Sequence, residues 1–456
     1  MKIKVQTLGR FRNLWAGTHP ITPIRLAGEM LLIPLLLTLL PLTPLAAQGL
    51  PPKALSPALP SASPESASPE AASAPLTPLV DPPSSLGLDS QIWGQDGFPR
   101  DWSALMRSVN HSLTYLHSPK SHGDYAKLDY TKLNYANLND RLGQSALGIT
   151  HDRVLRSVQR FRQLLLAATS PQALQQQVQA EFDFYRAVGG NSTTGNGTGS
   201  VHFTGYFEPT YPASREPNDR FCYPLYRRPP DFAAWPEPHP TRLALEGRDG
   251  LQGSQGLLAG LELVWLANRL EAYLVQVQGS ARLSLPDGSV MSVGYDGHTN
   301  YPYVSVGKAL VTDGHFAAAE LTLPKVLQYF TDRPEDLNHY LPQNDRFVFF
   351  RETSGTSATG SIGVPVTPER SIATDKSLMP PGAVVLMVLD LPYARTDGSS
   401  GYTLRSVQRY GVDQDTGGAI RGAGRADIFM GTGTIAGDRA GLVNSQGELY
   451  YLLLKD

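Results

Sequence analysis

The chain has 456 residues, 41% hydrophobic and 18% charged, with 43 Gly and 37 Pro, enough for two or three domains with their own cores. Lys+Arg 39 against Asp+Glu 41 leaves a formal net charge of -2, which excludes a polybasic chain built to neutralise phosphates and, with it, nucleic acid as a partner. The one cysteine, Cys222, excludes an internal disulfide framework and any multi-cysteine metal site. Beside Phe221 and Tyr223 it reads as a small apolar packing residue.

The chain opens with a basic flank (Lys2, Lys4, Arg10, Arg12, Arg25), an apolar run from Met30 to Leu42, and small residues at Ala46-Ala47. That order predicts a secretory signal over residues 1–47, cleaved before Gln48. A membrane anchor is the alternative, but spanning needs about 20 apolar residues and Pro34 and Pro41 interrupt a shorter run here. No cysteine lies near the cleavage region to carry a lipid. The expectation is an exported, periplasmic or envelope-attached protein. Residues 51–85 hold 10 Pro, 7 Ala and 8 Ser and no aromatic residue, which predicts a disordered, stiffened linker over 48–90.

The folded part is expected from about Gln91. A first helix carries Val154, Leu155, Val158, Phe161, Leu165 and Ala168 at helical spacing behind an Asp152 cap. A second opens at Ser170-Pro171, carries Leu174, Val178, Phe182 and Tyr185 on one face, and stops at Gly189-Gly190. After the loop NSTTGNGTGS the texture turns to short alternating runs between Gly, Pro and Asp. Strands are predicted at 272–277, 289–293, 347–350, 384–389 and 449–454. The coarse reading is a mainly β body with a helical preface.

The sequence holds no HExxH, no P-loop and no GxSxG elbow, and its ten histidines lack metal-ligand spacing. Gly307-Lys308 imitates the end of a phosphate loop, but Pro302 and Ala309 occupy positions that would require Gly and Ser or Thr. What stands out are three carboxyls: Asp375 in RSIATD, Asp415 in DQDTGGAIRG and Asp427 in GRADIFMGTG. Nine glycines between 411 and 441 keep the backbone around the last two tightly turned and open to a ligand. Ordinary Asp-Gly turn chemistry remains the alternative.

The segments GYFEP (205–209), YPLYRRP (223–229), 274–310, NDRFVFFRE (344–352), GSIGVPVTPERSIATD (360–375) and DTGGAIRGAGRADIFMGTGTIAGDRAG (415–441) run in order over the carboxyl-terminal half. Together they resemble the membrane-bound lytic murein transglycosylase A family with its carboxyl-terminal three-aspartate domain. The resemblance implies a double-psi β-barrel catalytic domain from about 91–210 and 354–456, with the three-aspartate region at about 365–456. A second, barrel-like β domain is inserted at about 211–353, with a groove at the junction. It also implies a lyase that cleaves the β-1,4 bond between N-acetylmuramic acid and N-acetylglucosamine in peptidoglycan, leaving 1,6-anhydro ends, without metal or cofactor and as a monomer. Asp427 is then the catalytic acid and base, with Asp415 and Asp375 supporting it. Gly205, Tyr206, Glu208, Gln276, Gln278 and Gly279 are the expected groove residues, strand-surface polarity being the alternative for the two glutamines.

Three rival readings remain. Asp415-Thr416-Gly417 is the aspartic-protease tripeptide, but the pair of aspartates that chemistry needs is missing, since no second copy occurs. A non-catalytic glycan-binding envelope protein would use Tyr206, Phe207, Tyr295, Tyr301 and Tyr303 for stacking, although Phe207 reads as core. A scaffold would do neither. Analysis of muropeptide products separates all three.

Overall fold

The computed structural model describes residues 74–128, 148–190, 199–317, 320–353, 358–397 and 399–456. The signal segment, the linker up to residue 73 and most of the NSTTGNGTGS loop lie outside the described residues.

Six strands close into a barrel. They are β3 (Val201–Glu208), β10 (Ser371–Ala373), β11 (Val384–Ala394), β12 (Tyr402–Asp415), β13 (Arg425–Thr432) and β14 (Asn444–Leu454). The order around it is β14-β11-β12-β10-β13-β3, and β3 pairs back with β14. Closure removes the exposed edges that an open sheet would have to protect. Two strand pairs, β10–β12 and β3–β13, are parallel, and they flank the antiparallel pair β10–β13. The length of β14 lets it fork: residues 444–447 pair with β3 and residues 450–454 with β2 (Phe182–Ala187), which in turn carries β1 (Leu76–Pro78).

Helices cover the barrel. They are α1 (Trp102–Leu116), α2 (Pro119–Lys127), α3 (His151–Ala167) and α4 (Pro171–Glu181). In α3 the apolar stripe Val154, Val158, Phe161 and Leu165 is fully buried, and Phe161 meets Tyr410 of β12 at 5.2 Å between ring centroids. The cap of α3 is Thr150, whose hydroxyl accepts from the Arg153 amide, and Asp152 sits inside the first turn. That corrects the expected Asp152 cap, and an acid in the first turn still favours the helix dipole. The second predicted helix is too long. Ser170 caps it as expected, but it ends at Glu181 and Phe182–Ala187 is strand. There Phe182 and Phe184 alternate into the core and tertiary pairing with β14 overrides the helical spacing.

The fold also starts earlier than composition suggests. Leu76 is fully buried in β1, and Asp89 is 1% exposed in an ion pair with Arg370, 2.5 Å away. Window averages hide such residues, because one buried strand and one ion pair can anchor a Pro-rich stretch. Arg370 also meets Asp101 at 2.6 Å, and Arg409 meets Asp101 at 2.8 Å. This buried network ties the amino-terminal segment to the turn before β10 and to the middle of β12.

Residues 210–353 build a second sheet, in the order β5-β6-β4-β7-β8-β9. Its strands are β4 (Thr210–Ser214), β5 (Tyr223–Tyr226), β6 (Glu262–Leu266), β7 (Ser280–Ser284), β8 (Val290–His298) and β9 (Val348–Thr353). Among its helices are α5 (Arg242–Glu246), α6 (Arg269–Gln278), α7 (Val306–Thr312), α8 (Leu323–Asp332) and α9 (Leu337–Tyr340). The strand expected at 272–277 is part of α6. Asn268 caps it by accepting from the amides of Leu270 and Glu271, and Gly279 ends it at φ 78°. Those two signals outweigh the apparent alternation of AYLVQV. The other four predicted strands correspond to β8, β9, β11 and β14 with extended ends.

The chain crosses between the two sheets at residues 208–210. Glu208, 1% exposed, accepts from Arg282 of β7 at 3.1 Å and from Thr432 at 2.7 Å. Gln278 accepts from the Phe207 amide at 3.2 Å. A last helix, α10 (Thr434–Ala440), packs on β3.

Candidate active site

Strand register places the key carboxyls in one row. Ala373 of β10 is paired with Asp415 on one side and with Asp427 on the other, and Asp427 faces Thr204 of β3. Neighbouring strands lie about 4.8 Å apart, so the Cα atoms of Asp415 and Asp427 are separated by about 10 Å. The sequence also leads one to expect Asp375 or Asp415 packed closely against Asp427; among the described residues the hydrogen-bond partners of all three are other groups. Tyr206 of β3 donates its hydroxyl to Asp415 Oδ2 at 2.8 Å, and the fields of both aspartates raise its pKa after burial has done so.

The two carboxyls have different surroundings. Asp415 Oδ1 accepts from the amides of Ser361 and Thr416, each at 2.8 Å, so with Tyr206 both oxygens are engaged. Asp427 Oδ1 accepts from Thr204 Oγ1, and Arg425 Nε stands 3.6 Å from it. Its Oδ2 has no protein partner among the described residues. Burial raises the pKa of Asp427, with Arg425, Thr204 and His202 acting against the rise. The neighbouring charge that acts on it most is thus a cation, Arg425. Burial also raises Asp415, opposed by its three hydrogen bonds.

Asp375 is a brace. Its carboxylate accepts from the Ser377 amide and hydroxyl at 3.1 and 2.6 Å, and from the Gly422 amide at 2.8 Å. It thereby holds the glycine-rich loop between β12 and β13. Gly205 is a close-approach residue: a Cβ there would come within 2.8 Å of the Ala440 backbone. Glu208 and Gln276 face inward. Gln276 is 8% exposed and accepts from Arg242 at 2.8 Å and from the Val348 amide at 3.2 Å. Gln278 and Gly279 stay partly exposed at the crossover, and Tyr295 is 46% exposed. Phe207 packs against Gly437, whose Cβ would meet the ring at 2.7 Å, consistent with its reading as a packing residue.

Thr204, Arg425 and Ser361 were not singled out from the sequence. A signal existed for Arg425, two residues before Asp427 and so on the same strand face. None existed for Ser361, which contributes only a backbone amide.

Residues 202–351 match the family model described as the MltA specific insert domain, and residues 370–453 match the 3D domain model. The chain is 30% identical to membrane-bound lytic murein transglycosylase A of Vibrio cholerae over 266 residues, 58% of this chain and 68% of that protein. The chain belongs to the membrane-bound lytic murein transglycosylase A family. The protein of the same description from Escherichia coli K12 is 31% identical over 257 residues, 56% of this chain and 66% of its own length, just under two thirds. Two solved structures share the fold. The membrane-bound lytic murein transglycosylase of Agrobacterium tumefaciens has a TM-score of 0.57 at 24% identity, covering 80% of this chain and 95% of that one. Escherichia coli MltA with bound chitohexaose gives 0.60 at 23%, covering 84% and 95%.

Tyr206 offers a test within this transglycosylase-family site. Its hydrogen bond lowers the Asp415 pKa, so Tyr206→Phe raises it by removing a donor to the charged form. The expected result is an upward shift of the matching limb in the pH–rate profile. An unmoved profile would show that Asp415 does not titrate in the working range.

Proposed function

We propose that this protein is a lytic transglycosylase that cleaves peptidoglycan strands between N-acetylmuramic acid and N-acetylglucosamine and leaves 1,6-anhydro muramic ends. The observation that supports this reading most is Asp427: a largely buried carboxyl, its pKa raised by desolvation, with Oδ1 held by Thr204 and no hydrogen bond to Oδ2 among the described residues. A hydrolytic glycosidase needs two opposed carboxyls. Here the muramic acid C6 hydroxyl supplies the nucleophile, so one group suffices. Asp427 gives its proton to the leaving glycosidic oxygen and becomes a carboxylate. Thr204 and Arg425 stabilise that charge. It then takes the C6 hydroxyl proton as the oxygen closes onto C1, which restores the acid.

Asp415 and Tyr206 set the local field, and Asp375 holds the loop. We assign the barrel (about 91–210 and 354–456, with residues 76–90 added) to catalysis and the sheet of about 211–353 to strand binding. Tyr206, Gln278 and Gly279 face the strand, while Gly205, Glu208 and Gln276 support it from behind. The setting is the cell envelope after export. Among the described residues no helix is long and apolar enough to cross a membrane.

Incubation with purified sacculi followed by mass spectrometry tests the proposal. Anhydro-muramic ends are the expected products. Reducing ends alone would mean hydrolysis, and unchanged sacculi that retain the protein would mean a binding module.

A further inference from the structure

The insert sends one cation to the loop that follows Asp415. Arg346, just before β9, lays its guanidinium over Gly418, where an added Cβ would meet Nη1 at 2.7 Å and Cζ at 2.8 Å. Its own backbone is fixed, because its carbonyl accepts from Arg242 at 2.6 Å. The guanidinium has no carboxylate partner and no hydrogen bond among the described residues. Arg421, on the same loop, has a side chain 68% exposed and only a 4.0 Å approach to Asp375. Asp375 is already satisfied by Ser377 and Gly422.

Burial lowers the Arg346 pKa, the Tyr295 hydroxyl acts against this, and Arg421 lowers it further. His298 feels both cations as well, after burial, and is held in a contact of 2.7 Å between Nδ1 and the Thr299 carbonyl. Asp296, on β8 of the insert, is shared between Arg228 at 3.7 Å and Arg351 at 3.4 Å. Two arginines whose charges oppose each other stand on this loop, Arg421 with only the long approach to Asp375 and Arg346 with no carboxylate among the described residues. A bound carboxylate would relieve that repulsion and satisfy the planar donor fork of Arg346.

We propose that Arg346 and Arg421 form a carboxylate-binding subsite that selects the anionic decoration of the muramic residue. This rests on the transglycosylase reading and sharpens its substrate class. Peptidoglycan differs from a neutral chitin-type strand by the lactyl group on alternate sugars, which ends in a carboxylate or in a peptide bearing carboxylates. The subsite recognises that shared chemistry.

The experiment compares kcat/KM for release of anhydro ends from peptide-free strands and from the same strands with lactyl carboxyls amidated. Peptide-bearing strands and their amidated form make the second pair. The expected wild-type preference for the charged member is about 10-fold in at least one pair, equivalent to one well-made charge contact. Arg346→Gln brings that ratio close to one, and Arg346→Lys keeps part of it. Preference in the first pair assigns the lactyl carboxylate, and preference only in the second assigns the stem peptide. An unchanged ratio in folded Arg346→Gln protein overturns the subsite. If wild-type protein releases no anhydro ends from any strand, the activity reading fails by itself. The subsite is then judged by calorimetric binding of the same two pairs to wild type and Arg346→Gln.

Discussion

Asp427→Asn should lower release of anhydro products by at least ~10²-fold, the low end for a general acid–base group. The amide keeps the shape of the carboxyl and can still accept from Thr204, but it has no proton to give. In energy the loss is about 2.7 kcal/mol of transition-state stabilisation or more. Strand binding should survive, since the outline of the site is nearly unchanged, and calorimetry on peptidoglycan fragments would show it. The pH dependence has a definite sign. Burial holds the Asp427 pKa above the ordinary carboxylate range, so the proton is retained to higher pH and the acid-dependent limb falls later than for an exposed aspartate. Arg425→Met removes an opposing cation and should move that limb further up. Asp415→Asn should be milder, because Asp415 is saturated with donors from Tyr206, Ser361 and Thr416. Near-wild-type turnover in Asp427→Asn, with Asp415→Asn folded and inactive, would reverse the two roles.

The largest effect on stability is expected from Arg370→Met. Arg370 is fully buried and bonds Asp89, Asp101 and the Tyr410 carbonyl. Removing it strands Asp89, itself 1% exposed, with the Tyr410 amide at 2.9 Å as its remaining hydrogen-bond donor among the described residues. Breaking one partner of a buried ion pair costs about 3–5 kcal/mol, because an uncompensated charge remains inside. Denaturant unfolding of the two proteins measures the difference, and a loss below about 1 kcal/mol, the range of exposed pairs, would show that the network does not anchor the fold.

The same network fixes an acid dependence. Burial alone would raise the Asp101 pKa, but Arg370 and Arg409 outweigh it and lower the value below the ordinary 3.8. Glu369 is lowered in the same way by Arg409 and Arg439 against burial. A depressed carboxyl adds stability that is complete above its unfolded pKa and is lost as pH falls through the folded value. The network's contribution is therefore constant at neutral pH and fades only in strong acid.

The amino-acid sequence by itself determined the mainly β class, the helix caps at Ser170, and four of the five strands named in advance. These rest on local signals, since alternation and caps are written within a few residues. It also marked Asp375, Asp415 and Asp427, through glycine-rich turns and an ordered set of motifs. Three elements came out differently, two through tertiary pairing and one through local caps that outweighed alternation. Phe182–Ala187 became strand because β14 offered a ladder, residues 272–277 became helix under the Asn268 cap, and residues 76–90 joined the fold through Leu76 and Asp89. The site divides in the same way. The sequence could name the carboxyls, but only register between β10, β12, β13 and β3 could space Asp415 and Asp427 about two strand widths apart and bring the Tyr206 hydroxyl to Asp415. The raised pKa of Asp427 and the unpaired guanidinium of Arg346 belong to that second level too. Burial and the absence of a partner are properties of what surrounds a residue in space, and residues more than two hundred positions apart supply those surroundings, as Thr204 does for Asp427.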